Sequence, residues 1–157
     1  MVDLKFGIIE EVDEVRVRFK VRLPDMDDMV THWLPMNVTQ SLSDKSYDLP
    51  DIGTQVSLLL DEHGLEGVIL GAIYSEEDPP PVQDKNKFHK RFSDGTSIEY
   101  DKTLKKLVID VQGAQPLQSF IEIKSNNLIT IQADLGIVLD APISTIKGNL
   151  KVMGSIS

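Results

Sequence analysis

The chain has 157 residues and a mass of 17.5 kDa, with 41% hydrophobic and 26% charged side chains, the composition of a folded protein with room for one domain or two thin ones. It contains no cysteine, which excludes disulfides, thiolate metal sites and cysteine nucleophiles together. The net charge of −9 argues against a nucleic-acid partner, because backbone binding rests on Lys and Arg neutralising phosphates.

That charge is uneven. Met1 to Val82 holds 6 basic and 17 acidic residues, net −11, whereas Gln83 to Ser157 holds 10 and 8, net +2, as expected of two parts with different roles. No apolar run approaches the roughly 18 residues of a membrane span, and the N-terminus has neither the basic nor the apolar region of a signal peptide. A soluble chain made in the cytosol is expected.

In chain order, a strand is predicted over Phe6 to Val12. In the next, Val15, Val17, Phe19, Val21 and Leu23 alternate with Arg16, Arg18, Lys20 and Arg22, giving one buried and one solvated face. Val30 to Pro35, Thr54 to Asp61 and Leu65 to Tyr74 follow, the last two joined by a tight turn at His63-Gly64. The run Val68-Ile69-Leu70-Gly71-Ala72-Ile73 reads as a strand covered on both faces, with a bulge or corner at its glycine. With an irregular stretch from Val38 to Gly53, five short strands fit an OB-type barrel over residues 1–75, since such strands need closure at their edges.

Residues 76–87, Glu76 to Lys87 with Pro79-Pro80-Pro81 at the centre, read as an extended linker. Beyond it, Phe88 to Asp101 reads as a hairpin turning at Ser93-Asp94-Gly95-Thr96. Short apolar segments follow at 107–111, 120–123, 128–132, 136–140, 143–147 and 150–153, and from Glu122 onward their centres recur about every eight residues. These segments are too short for a solitary β-helix, and their apolar side chains are too few to offset the conformational entropy of ordering them. Residues 88–157 are therefore expected to form an intertwined trimeric β-helix, with Ile121, Ile123, Ile129, Ile131, Ile137, Leu139, Ile146 and Val152 facing the axis. The expected fold class is all-β, an N-terminal OB-fold barrel followed by a trimeric β-helical shaft.

Two stretches carry a resemblance. Gly71-Ala72-Ile73-Tyr74-Ser75-Glu76 before the prolines, and Phe88-His89-Lys90-Arg91-Phe92-Ser93-Asp94-Gly95-Thr96-Ser97-Ile98-Glu99-Tyr100-Asp101 after them, resemble the baseplate assembly protein V family, the central spikes of contractile phage tails and R-type tailocins. The resemblance implies a homotrimer in the virion baseplate or tailocin particle, assembled in the host cytoplasm. Its OB domains would attach to the hub and tail tube, and its β-helix would be driven through the host outer membrane. Members commonly run further and end in a His-x-His motif that holds an iron at the apex. Here Leu150 to Ser157 are still β-like, so either a separate PAAR-type tip protein caps that end, the favoured expectation, or the sequence belongs to a shorter or truncated spike.

Candidate chemistry is sparse. His32, His63 and His89 fall on different elements without ligand spacing, so no metal and no cofactor are expected; only His89, one copy per chain on a threefold axis, has a route to a shared site. Glu10, Glu11, Asp13 and Glu14 lack a calcium-loop pattern and read as partners of the stripe Arg16, Arg18, Lys20 and Arg22 across a hairpin. Asp25, Asp27 and Asp28 read as solvated loop residues, and no catalytic residue is expected. The rival function is an OB-fold module for nucleic acid or carbohydrate, trimerised by the repeat.

Overall fold

The computed structural model describes residues 2–113 and 119–153. The fold is all-β, and its strands form two antiparallel sheets separated by residues 73–86, which contain no strand. The first sheet holds β1 (Val2–Asp13), β2 (Arg18–Leu23), β3 (Met29–Val30), β4 (Leu34–Pro35), β5 (Gln55–Asp61) and β6 (Gly67–Ala72). The second is a meander of β7 (Lys87–Arg91), β8 (Ser97–Asp101) and β9 (Lys106–Asp110).

The long first strand organises the first sheet. Its residues 2–8 pair with β5 and its residues 8–13 with β2, so it must bend between two partners. Gly7 sits at that bend on the inner side, where a Cβ would lie 2.4 Å from Val21 Cγ1 and 2.6 Å from the Arg22 carbonyl oxygen. Only glycine fits such an approach. The bulge at Glu10, between the pairs Ile9–Val21 and Glu11–Lys20, adds further twist.

The sheet curls until its far edges meet. Strand order is β3-β2-β1-β5-β6 with β4 also on β2, and a parallel bridge between Met36 and Ile69 joins the end of β4 to β6. There the Asn37 N–H donates to the Ile69 carbonyl at 2.9 Å, and the His32 N–H donates to the Gly64 carbonyl at 3.1 Å. Enclosed between these walls is one apolar core of Ile9, Phe19, Val21, Leu23, Leu34, Val56, Leu58, Leu60 and Ile69. Six of these nine are alternate residues of β2 and β5, as period-two patterning requires, and Ile9, Leu34 and Ile69 come from β1, β4 and β6.

Several sequence expectations are corrected. The strand expected from Val15 begins only at Arg18: residues 14–17 form the β1–β2 turn, Val15 is 93% exposed, and Val17 has a left-handed φ of 53°. Asp13 makes that turn, its Oδ1 accepting from the backbone N–H groups of Val15 and Arg16 at 3.1 and 3.0 Å. The strand expected over Val30–Pro35 is split, because the buried Thr31 Oγ1 accepts from the Val21 N–H at 3.0 Å and so takes a place in the ladder that a carbonyl would hold. In β6 only Ile69 is fully buried; Leu70 is the extra residue of a bulge beside Gly71 and is exposed, so this strand is covered on one face. The irregular 38–53 stretch and the turn at Gly64, with φ 69°, are as read from the sequence.

From Ser119 to Met153 the described residues form neither strand nor helix, and every one is exposed. The remaining positions of the expected shaft, 114–118 and 154–157, lie outside the described residues.

Candidate assembly interface

The meander is amphipathic by register. Phe88, Tyr100 and Leu107 stand opposite one another across its three strands, as do Lys90, Ile98 and Ile109 in the next row on the same face. The other face carries Lys87, His89, Glu99, Asp101 and Val108.

The polar face satisfies itself. Lys87 Nζ donates to Glu99 Oε1 at 2.8 Å, His89 Nδ1 lies 3.0 Å from Glu99 Oε2, and Asp101 stands 4.0 Å from Lys87. The hydrogen bond from Lys87, then that from His89, holds the Glu99 carboxyl below the usual carboxylate range. The same Lys87–Glu99 bond raises the Lys87 ammonium above the ordinary lysine value. Because His89 Nδ1 faces Glu99, that nitrogen is already engaged. Among the described residues no group of three His, Asp or Glu side chains could hold a metal ion.

On the apolar face the one such closure among the described residues is at its edge, where Lys90 pairs with Asp48 of the loop before β5. Phe88 is 57% exposed, Leu107 62% and Ile109 49%, a band that stays open in the single chain. Exposed contiguous apolar surface of this kind marks an interaction site. The residues expected on the shaft axis are exposed as well: Ile121, Ile123, Ile129, Ile131, Ile137, Leu139, Ile146 and Val152 are all solvent-exposed in the single chain, between 45 and 78%. The local contacts here are a Lys124–Glu122 ion pair at 2.8 Å and a hydrogen bond from the Asn127 N–H to Ser125 Oγ. The second set is among the residues expected from the sequence and the first is not, although the alternation Ile98-Glu99-Tyr100-Asp101 beside Leu107-Val108-Ile109 is its signal.

A smaller apolar row lies on the outer wall of the first sheet, where Leu4, Leu59 and Val68 stand in register across β1, β5 and β6, flanked by the exposed Val2 and Phe6.

The basic stripe is neutralised in its second half, at Lys20 and Arg22. Lys20 Nζ lies 2.9 Å from Glu11 and Arg22 contacts Glu10 at 3.1 Å, the cross-hairpin pairing expected from the sequence, while Arg22 also holds Asp28 at 2.9 Å, a residue expected to be solvated. Such exposed pairs add modestly to stability. Of the loop aspartates, Asp27 and Asp28 adopt left-handed backbone and Asp28 is held by Arg22, while Met26 and Met29 pack against the core.

No protein-family model matches the chain. Over 141 residues, 88% of its length, it is 27% identical to the spike protein of Escherichia phage P2. This chain is a relative of a phage spike protein. The aligned region spans 65% of that protein's length. The similarity reaches well beyond the two stretches at 71–76 and 88–101 on which the resemblance to the baseplate spike family was read. Both the barrel-like sheet and the apolar repeat therefore belong to a chain with a spike-protein relative.

Proposed function

We propose that the chain is a non-enzymatic structural subunit of a contractile-tail baseplate, a homotrimeric spike whose shaft pierces the host outer membrane. The observation that carries this reading is the exposed apolar band on the β7–β9 face, together with the exposed isoleucines of residues 119–153. Three copies around one axis would turn both surfaces inward and give the unpaired segments neighbours with which to form ladders. The polar face with Lys87, Glu99 and His89 would face solvent.

In this reading residues 1–75 are an OB-type collar attached to the hub and tail tube, for which the outer row Leu4, Leu59 and Val68 supplies a contact surface. Residues 88–157 are the shaft. A shaft interlocked through three chains resists bending because loosening one strand breaks contacts in two others, and its working stability is a slow unfolding rate.

The test is electron microscopy of the purified full chain, together with a titration against a fluorescent single-stranded oligonucleotide. Needles with a three-lobed collar and no oligonucleotide binding are expected. Globular particles that bind the oligonucleotide with salt-dependent affinity would overturn the spike in favour of a binding module.

A further inference from the structure

A groove of about 440 Å³ opens beside the β1–β2 turn, between β2, β4 and the loop before β5. Met36, Val38 and Leu49 line its apolar part; Arg16, Arg18 and Lys45 stand around it. The N-terminal half has only six basic residues against 17 acidic ones, and half of its cations lie here. Lys20 and Arg22 elsewhere are matched to carboxylates at 3.1 Å or less. By contrast Arg18 and Lys45 form no ion pair among the described residues, and Arg16 reaches Asp13 only at 3.7 Å with its side chain 81% exposed. Cations gathered without partners around an apolar floor, in so acidic a half, suit an acidic ligand with one apolar anchor.

The chain itself presents that chemistry at another place. After β6, Ser75 and Asp78 close a tight turn: the Asp78 N–H donates to Ser75 Oγ at 3.0 Å, and the Ser75 N–H to the Asp78 carbonyl at 3.3 Å. The turn presents the exposed Glu76, Glu77 and Asp78, with Tyr74 beside them 66% exposed. None of these three carboxylates forms an ion pair among the described residues.

We infer that the groove receives Tyr74 and the acidic turn Glu76–Asp78 of a second copy of this chain. The tyrosine ring fills the apolar floor and the carboxylates meet Arg16, Arg18 and Lys45. Because groove and turn are different surfaces of one chain, the contact is head-to-tail, and such a contact closes into a ring under threefold symmetry. The inference rests on the trimer proposed above and adds a second, electrostatic joint at the level of the collar.

The absence of native cysteine permits a clean test. Lys45→Cys and Glu77→Cys are made in separate full-length chains carrying different tags, co-expressed, and oxidised; sedimentation of the same sample gives the assembly mass. A disulfide-linked pair containing one chain of each tag, absent when either variant is expressed alone, is the expected result. A trimer with no mixed disulfide overturns the groove assignment while leaving the spike intact. Equal cross-linking by either variant alone shows random collision and also overturns it. A monomer overturns the trimer and this contact together.

Discussion

Leu107 offers the sharpest perturbation of the proposed trimer. Its side chain lies on the apolar face of β9, in register with Tyr100, and remains 62% exposed in the single chain. Leu107→Ala removes three carbons, worth about 0.8 kcal/mol each when buried. Scaling by the exposed fraction assigns about 1.5 kcal/mol per copy to association rather than to folding, and about 4.5 kcal/mol to a trimer with three such sites. At 1.4 kcal/mol per tenfold, the trimerisation constant falls by about 1,600-fold. Since the monomer–trimer midpoint varies as the square root of that constant, it moves about 40-fold to higher protein concentration. Sedimentation equilibrium over a dilution series, in enough urea to half-dissociate the unaltered protein, reads this shift, and circular dichroism checks that the β-sheets persist. Val108→Ala, on the polar face, serves as the control and leaves the midpoint in place. A Leu107→Ala midpoint within about twofold of the unaltered protein would refute the assignment of this face to the interior, because the estimate leaves no room for so small an effect.

Ile131→Asp sets three carboxylates near the proposed axis and abolishes the trimer, since a desolvated charge without a partner is not tolerated; an unchanged mass by light scattering would show that Ile131 faces outward. Phe19→Ala empties the largest fully buried site of the first sheet, at a cost of about 3–5 kcal/mol. The melting temperature of that sheet then falls by more than about 10 °C, whereas Val15→Ala, in the exposed turn, leaves it unchanged; similar melting for both variants would contradict the core assignment. The Glu99 carboxyl is held below its ordinary value of 4.5, so its contribution is complete above that pH and is lost as acid brings the pH down through the folded value. Thermal scans between pH 3 and 7 therefore show an acid loss of stability that Glu99→Gln flattens, and an identical acid slope in the variant would remove Glu99 as its source.

The sequence was most informative where one face of a strand is buried and the other wet. Phe19, Val21 and Leu23 show the core face of β2 through alternation alone, and Val56, Leu58 and Leu60 do the same for β5. The same alternation misled at Val15 and Val17, because the turn that ends it contains neither glycine nor proline. Its signal is Asp13, a residue whose carboxylate can replace a main-chain acceptor, and Asp101 repeats the device before β9 by accepting from the N–H groups of Thr103 and Leu104. Thr31 was illegible for a related reason: a hydroxyl that substitutes for a carbonyl within a ladder leaves no trace in hydrophobic periodicity. At the assembly surface the repeat after residue 119 was visible through its spacing. The meander face was not, since its six members come from three strands and become neighbours only through register.

In the proposed spike the exposed apolar surface after residue 88 is an interior shared by several copies. Sedimentation velocity with mass determination on the full chain at micromolar concentration tests it directly. A single elongated species of three times the 17.5 kDa chain mass is the predicted result. A compact species at the mass of one chain would contradict it.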